Sequence, residues 1–207
     1  MWEQIWRVLK PNGACALFGS EPFSSNLRMS QIKYFKYDWV WYKNNPTGFT
    51  LAKYQPMRSY EIISVFCKTR TPWYKQLMKS RITDRKTGKS NGSFNNTPSD
   101  HYLLKNKKID ETNTLKTMVS PWNVLEYKVV PRAKGTLHPT QKPIALLEYL
   151  IKTYTLEGET VLDFTAGSFS TGVAAVNLDR NFIGIEQDKK YFEIGKKRID
   201  EVLNTNN

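Results

Sequence analysis

The sequence predicts an α/β fold with a parallel sheet. Three observations predict it: a helix–turn–strand opening, further runs rich in Val, Ile and aromatics before residue 70, and a strand–helix–strand succession towards the C-terminus. Of the 207 residues 40% are apolar and 24% charged, with 10 Phe, 11 Tyr and 6 Trp. That suits one globular domain with its own core rather than a disordered tail or a disulfide mini-scaffold.

Trp2, Ile5, Trp6 and Leu9 fall on one face of an amphipathic helix, Lys10-Pro11-Asn12-Gly13 makes a tight turn, and Ala14 to Phe18 is apolar enough for a buried strand. Tyr37 to Tyr42 and Glu61 to Phe66 read as strands from their β-branched and aromatic content. From about Lys68 to Lys134 apolar periodicity fades while Lys, Arg, Asn, Ser and Thr accumulate. After Gly135 regularity returns. Pro143 suits the first turn of a helix that puts Ile144, Leu147, Leu150, Ile151 and Tyr154 on one face. Leu156-Glu157-Gly158-Glu159 then turns into a short buried strand, Thr160 to Asp163. A helix from about Ser170 to Leu178, a strand from Phe182 to Glu186 and a helix from Asp188 to Leu203 follow. A β-α-β unit of this kind produces parallel strands. The chain has no internal repeat.

Lys plus Arg number 31 against 19 Asp plus Glu, a formal +12 that favours a polyanion and makes nucleic acid the first partner to test. The charge concentrates between residues 68 and 89, where Lys68, Arg70, Lys75, Lys79, Arg81, Arg85, Lys86 and Lys89 face the single acid Asp84. Such a run is either a nucleic-acid contact or a solvated loop. The two cysteines, Cys15 and Cys67, have no C-x-x-C spacing, so neither a zinc site nor a disulfide framework is written here, and both are expected as reduced core residues. The N-terminus lacks a basic region followed by an apolar stretch, and no apolar run approaches the ~18 residues of a membrane span. A cytoplasmic protein is expected.

The sharpest local signal is Asp163-Phe-Thr-Ala-Gly167-Ser168-Phe-Ser170-Thr171, where a strand ends and a helix begins. Small residues there let the backbone approach a ligand, and a helix start offers N–H donors. Glu186 ends the next strand, and an acid at that place in nucleotide-binding α/β folds accepts hydrogen bonds from both ribose hydroxyls. A nucleoside-containing cofactor follows; an ordinary tight turn with a solvent-facing Glu is the alternative. A second signal, His138-Pro139-Thr140-Gln141-Lys142-Pro143, precedes the helix before that strand. In a parallel sheet it lies beside the turn, so Thr140 and Lys142 could meet a carboxylate or a ribose. His138 has no acid and nucleophile to make it a base.

These motifs, with Leu9-Lys-Pro-Asn-Gly13, Leu17-Phe-Gly-Ser-Glu-Pro22, Trp39-Val-Trp41-Tyr-Lys43 and Tyr60-Glu61, resemble the amino-directed DNA methyltransferases of the permuted β-type, which modify adenine N6 or cytosine N4. The likeness covers nearly all of the chain except the basic middle. It implies a Rossmann-like S-adenosylmethionine-dependent methyltransferase fold, permuted and N-terminally incomplete, with an inserted basic recognition segment. The first part of the core would be 1–69, the target-recognition segment 70–135 and the S-adenosylmethionine-binding part 136–207. By the resemblance, Asp163, Phe164, Thr165, Gly167 and Ser168 wrap the methionine part of S-adenosyl-L-methionine, Glu186 holds its ribose, and Thr140 and Lys142 contact its polar end. Lys75, Lys79, Arg81, Arg85, Lys86 and Lys89 would touch duplex DNA.

Two departures qualify the resemblance. Phe169 stands where the family usually has a small residue, and its ring either narrows the cofactor pocket or faces the neighbouring helix. The family's catalytic string, Asp or Asn, two prolines and an aromatic, does not occur; Asn45-Pro46-Thr47-Gly48 and Ser120-Pro121-Trp122-Asn123 are the nearest. The resemblance places that string just upstream of a helix like Trp2 to Leu9, so an adenine-N6 methyltransferase is expected, whole or as a truncated or split chain, with no catalytic residue assigned. A partner chain supplying the motif or a homodimer partner would complete it. A degenerate module binding DNA or cofactor is the second reading, and an RNA or protein methyltransferase a third.

Overall fold

The structure is a computed structural model that describes residues 1–79, 118–130 and 137–205. The chain divides into two compact units, one made of Met1–Tyr74 with Asn123–Asn207 and the other of Lys75–Trp122.

The larger unit opens with α1 (Trp2–Val8), β1 (Cys15–Gly19) and α2 (Phe23–Met29), then β2 (Phe35–Thr47) and β3 (Arg58–Phe66). In the smaller unit β4 (Met78–Lys79) pairs antiparallel with β5 (Met118–Val119). The larger unit resumes with β6 (Val124–Glu126), α3 (Ile144–Tyr154), β7 (Thr160–Asp163), α4 (Ser170–Val176), β8 (Asn181–Gly184) and α5 (Lys189–Thr205).

One sheet has the order β1-β3-β2-β6, with β3 antiparallel to both β1 and β2 and β6 parallel to β2. β7 and β8 form a separate parallel pair in which Asp163 faces Gly184. Among the described residues the expected parallel pairing is therefore found only at β2–β6 and β7–β8. β2 and β3 are joined by a short loop, which can return the chain only as a hairpin, whereas parallel pairing needs a crossover of a dozen residues or more. α2 was not foreseen: it is seven residues long, with only Ser24 and Leu27 buried, too short to show a period.

Alternation along β1 fills two layers. Cys15 joins Ile5, Leu27 and Phe66 in one apolar cluster, against which Trp2, Trp6, Leu17 and Phe164 pack. Phe18 packs on the other, formed by Leu147, Ile151, Ala174 and Ala175, together with Val161 and Phe182. The strands thus lie between helices on two sides, as an α/β core requires. A buried polar pin joins sheet to helix: Trp39 Nε1–H donates to the Tyr154 hydroxyl at 2.6 Å, which lies 3.1 Å from the Tyr37 hydroxyl. Both cysteines are free and buried, and burial pushes the Cys15 thiol up to about 12. Among the described residues no helix is long and apolar enough to cross a membrane.

Candidate functional site

β7 ends at Asp163, and its carboxylate folds back on the turn that follows. Oδ1 accepts the Thr165 N–H at 3.0 Å, and Oδ2 accepts the Thr171 hydroxyl at 2.6 Å from the first turn of α4. Asp163 therefore ties both ends of the turn, as a short acidic side chain does when it competes for local donors. Gly167 sits in the middle at φ 53°, where a Cβ would lie 3.2 Å from the His138 ring. Both the left-handed backbone and the close approach call for glycine. Ser168 is 2% exposed. From α5, Arg198 Nη1 donates to the Ser168 carbonyl and reaches the Ser168 and Ser170 hydroxyls at 3.2 and 3.1 Å.

Glu186 follows β8 and closes the turn from the other side. Its Oε2 accepts the Gly167 N–H at 2.8 Å and its Oε1 the Asp188 N–H at 2.9 Å. The Asp188 N–H foremost, with those of Gly167 and Gln187, holds the carboxyl below its usual range against the opposing effect of burial. Each carboxylate oxygen accepts at more than one lone pair, so one backbone bond apiece still leaves acceptor capacity for a pair of hydroxyls. Glu186 thus anchors the turn as well as presenting an anion to it. Asp188 caps α5 by accepting the N–H groups of Lys190 and Tyr191 at 2.8 and 3.2 Å.

The segment from His138 to Pro143 meets this turn through His138, whose ring lies edge-on to Tyr191 at 4.3 Å as well as against Gly167. His138 Nδ1 accepts the Thr140 N–H at 3.3 Å and lies 3.1 Å from the Thr140 hydroxyl, so His138 orders its own loop. Lys142 turns instead into the sheet. Its ammonium is 2.8 Å from Glu61 Oε2 and lies over the rings of Phe18 and Trp41, at 5.2 and 5.6 Å. The other Glu61 oxygen takes Lys43 Nζ at 3.2 Å, with the Lys43 side chain only 4% exposed. Burial pushes the Glu61 carboxyl up, but hydrogen bonds and charge from Lys142 and Lys43 outweigh this and hold it below the ordinary value.

Of the residues read from sequence, Asp163, Phe164, Thr165, Gly167, Ser168 and Glu186 lie together on the two loops at the ends of β7 and β8. Thr140 joins them through His138, and Lys142 points to Glu61. Phe169 has φ 56°, is 6% exposed, and sets its ring against Phe182 and Phe192 at 5.7 and 5.8 Å, above Gly195 of α5. Of the two alternatives for that ring, it faces the neighbouring helix. Lys75 belongs to the smaller unit. The Lys79 side chain and Arg81, Arg85, Lys86 and Lys89 lie outside the described residues. Sequence reasoning missed Lys43, Tyr191 and Arg198. Lys43 had a signal, a lone cation inside an aromatic strand; the other two read as ordinary positions of an amphipathic helix.

A parallel strand–turn–helix–strand unit with a small-residue turn and an acid at the end of its second strand defines an α/β protein of the nucleotide-cofactor class. Residues 1–197 match the N6_N4_Mtase model, described as DNA methylase, and the chain belongs to that family. It is similar to the type II methyltransferase M2.DpnII of Streptococcus pneumoniae, 32% identical over 96% of this chain and 65% of the relative. Over a shorter stretch, 39% of this chain and 28% of the relative, it is 49% identical to the DNA adenine methyltransferase YhdJ of Escherichia coli K12. Among solved structures it resembles the M1.HpyAVI–SAM complex, with a TM-score of 0.62, 28% identity, and coverage of 95% of this chain and 79% of the other. The cytosine-N4-specific PvuII methyltransferase, at 17% identity and a TM-score of 0.62, shares the fold. The chain spans 65% of the length of M2.DpnII and of M2.LlaDCHI from Lactococcus lactis.

Proposed function

We propose that this chain binds S-adenosylmethionine and duplex DNA and serves methyl transfer to adenine N6. The observation that carries the reading is Glu186 holding the Gly167 N–H with one oxygen and the Asp188 N–H with the other, which makes a single anchored cradle from two loops. The donor set fits the cofactor: a carboxylate for the ribose diol, the bare backbone of Gly167 for close approach, and Thr165 on the exposed side of the turn. When bound, S-adenosylmethionine supplies an electrophilic methyl group on a sulfonium. The chain's residues bind and orient. Glu186 takes the ribose; Asp163, Phe164, Thr165, Gly167 and Ser168 shape the turn around the methionine part; Thr140 lies beside it. Lys142 acts from the Glu61 cluster, whose two ammonium groups and one carboxylate leave a positive surplus for the cofactor's carboxylate.

The segment 70–135, with Lys75, Lys79, Arg81, Arg85, Lys86 and Lys89, is assigned to DNA contact, where cations would neutralise phosphates. Adenine is preferred to cytosine because YhdJ, the relative matched over the shorter stretch, is named a DNA adenine methyltransferase. The relatives are bacterial, and in such cells DNA is reached from the cytoplasm, where this chain is proposed to work. The base's exocyclic amine is a poor nucleophile whose hydrogens need acceptors, and no Asp/Asn-Pro-Pro-aromatic string occurs in the 207 residues to supply them. The second reading is a module that holds cofactor or DNA while a partner chain or second copy completes the site. Transfer of labelled methyl from S-adenosylmethionine to mixed-sequence duplex DNA by the purified chain separates the two. Transfer by the chain alone supports the enzyme, and cofactor binding without transfer supports the module. Neither binding nor transfer by folded protein removes both.

A further inference from the structure

The hairpin joining β2 to β3 extends beyond the core. Its strands pair as far as Tyr42 opposite Tyr60, then slip, and Thr47 pairs with Arg58. The tip is ordered by its own backbone: Leu51 N–H donates to Gly48 O, Ala52 to Phe49 O, and Tyr54 and Gln55 both to Leu51 O, at 2.9 to 3.0 Å. On this fixed support Phe49 is 82% and Tyr54 80% exposed, with Leu51 half exposed beside them. A concavity of about 360 Å³ lies at the same place, lined by Thr47, Gly48, Leu51, Gln55, Pro56 and Arg58. Large apolar side chains held ordered in water mark a contact surface.

Charge identifies the occupant. No acid occurs from Trp39 to Tyr60, while Lys53 and Arg58 flank the aromatics and Asn44, Asn45 and Gln55 add amides. Lys53 Nζ stands 6.0 Å from the Tyr54 ring centre, and Arg58 is held by donating to the Glu21 main-chain oxygen at 3.1 Å. Glu21, whose main-chain oxygen holds Arg58, has its side chain paired with Arg28 at 2.6 Å. Flat rings interleaved with cations and amides, without acids, match a nucleic acid, between whose base steps apolar side chains wedge while its phosphates take cations. We propose that the β2–β3 tip is a second contact for duplex DNA, in addition to the basic segment 70–135, with Phe49 and Tyr54 against bases and Lys53 and Arg58 on phosphates. This rests on the DNA-binding reading given above.

The two kinds of contact leave different traces in a salt titration of binding to a labelled mixed-sequence duplex, measured by anisotropy with the full chain. The double variant Phe49→Ala/Tyr54→Ala is expected to bind about tenfold or more weakly with an unchanged salt slope, since an inserted ring releases no counterions. Lys53→Gln/Arg58→Gln is expected to lower the slope by about two. Phe49→Trp/Tyr54→Phe keeps the rings and is expected to retain affinity. All four side chains are at the surface, so melting temperatures serve as the folding control. If the wild type binds DNA and Phe49→Ala/Tyr54→Ala binds equally well, the tip proposal falls and the DNA reading stands. If the wild type binds no DNA, both fall. If the alanine pair abolishes a wild-type dimer in sedimentation but leaves DNA affinity intact, the tip is a self-association surface and the proposal is overturned.

Discussion

A single carboxylate carries most of what can be tested at the scale of one residue. Glu186 grips two backbone N–H groups and keeps acceptor capacity on both oxygens. Glu186→Ala is expected to weaken S-adenosylmethionine binding by about 1–3 kcal/mol through loss of charged hydrogen bonds. Glu186→Gln, which keeps one acceptor oxygen, should lose less. Calorimetric titration of both variants checks this, and equal affinity in Ala, Gln and wild type would remove the ribose assignment. Phe169 is a residue whose backbone and side chain ask for different things. Its φ of 56° suits glycine, while its ring fills the space above Gly195 between Phe182 and Phe192. Phe169→Ala gives up the ring and keeps the backbone cost, and is expected to destabilise by about 3–5 kcal/mol. Phe169→Gly gives up the ring but relieves the left-handed residue, so it should be the less damaging of the two. Because the ring faces α5, neither change is expected to tighten cofactor binding; urea denaturation and cofactor titration together decide it.

Elements cooperate here through charge placed between them. β2 supplies Lys43, β3 Glu61 and the loop before α3 Lys142, so three separate pieces of chain meet at one carboxylate. Lys43 is almost wholly buried, and a buried ammonium without its counter-ion is costly. Glu61→Gln is therefore expected to destabilise the fold by about 2–4 kcal/mol. Adding Lys43→Met should restore part of that, because the second change removes the stranded charge. A double-mutant cycle in urea reads the coupling, and strictly additive losses would show that the ions do not act as a unit. The same scale explains why the turn after β7 holds its shape: Asp163 ties it from below, Glu186 from the side and Arg198 from α5.

For the molecule as a whole, acid is the informative perturbant. Among the described residues four carboxylates sit below their ordinary values. Glu61 does so between its lysines despite burial, Glu21 through the Ser25 hydroxyl first, Glu159 through the Leu156 N–H first and Glu186 through the Asp188 N–H first. A carboxyl lowered in the folded state binds its proton more readily once unfolded, so its stabilisation is complete above the unfolded value near ~4.3 and is lost as pH falls through the lowered folded values. The urea midpoint is expected to hold steady from about pH 7 to 5 and to fall steeply below about 4.3. A midpoint unchanged down to pH 3 would show that these contacts do not survive in solution.

Elements whose residues carry a strong local rule were legible in the chain alone. Periodicity placed α1 and α3, an apolar run placed β1, β-branched and aromatic runs placed β2 and β3, and Gly167 and Glu186 marked two loops that hydrogen-bond to each other. The motifs from His138 to Pro143 and from Asp163 to Thr171 also pointed to the family, which the match over residues 1–197 shows. Tertiary structure alone decided where side chains went once several directions were open to them. It sent Lys142 to Glu61 rather than to the turn, set the Phe169 ring on α5, and brought Arg198 beneath Ser168, thirty positions away in sequence. It also made most of the large sheet antiparallel and projected an aromatic tip from it. The physical reason is common to all of these. Spacing along a chain reports only on neighbours within a turn or a pleat, whereas an ammonium or a ring settles by the partners that folding brings within a few ångströms.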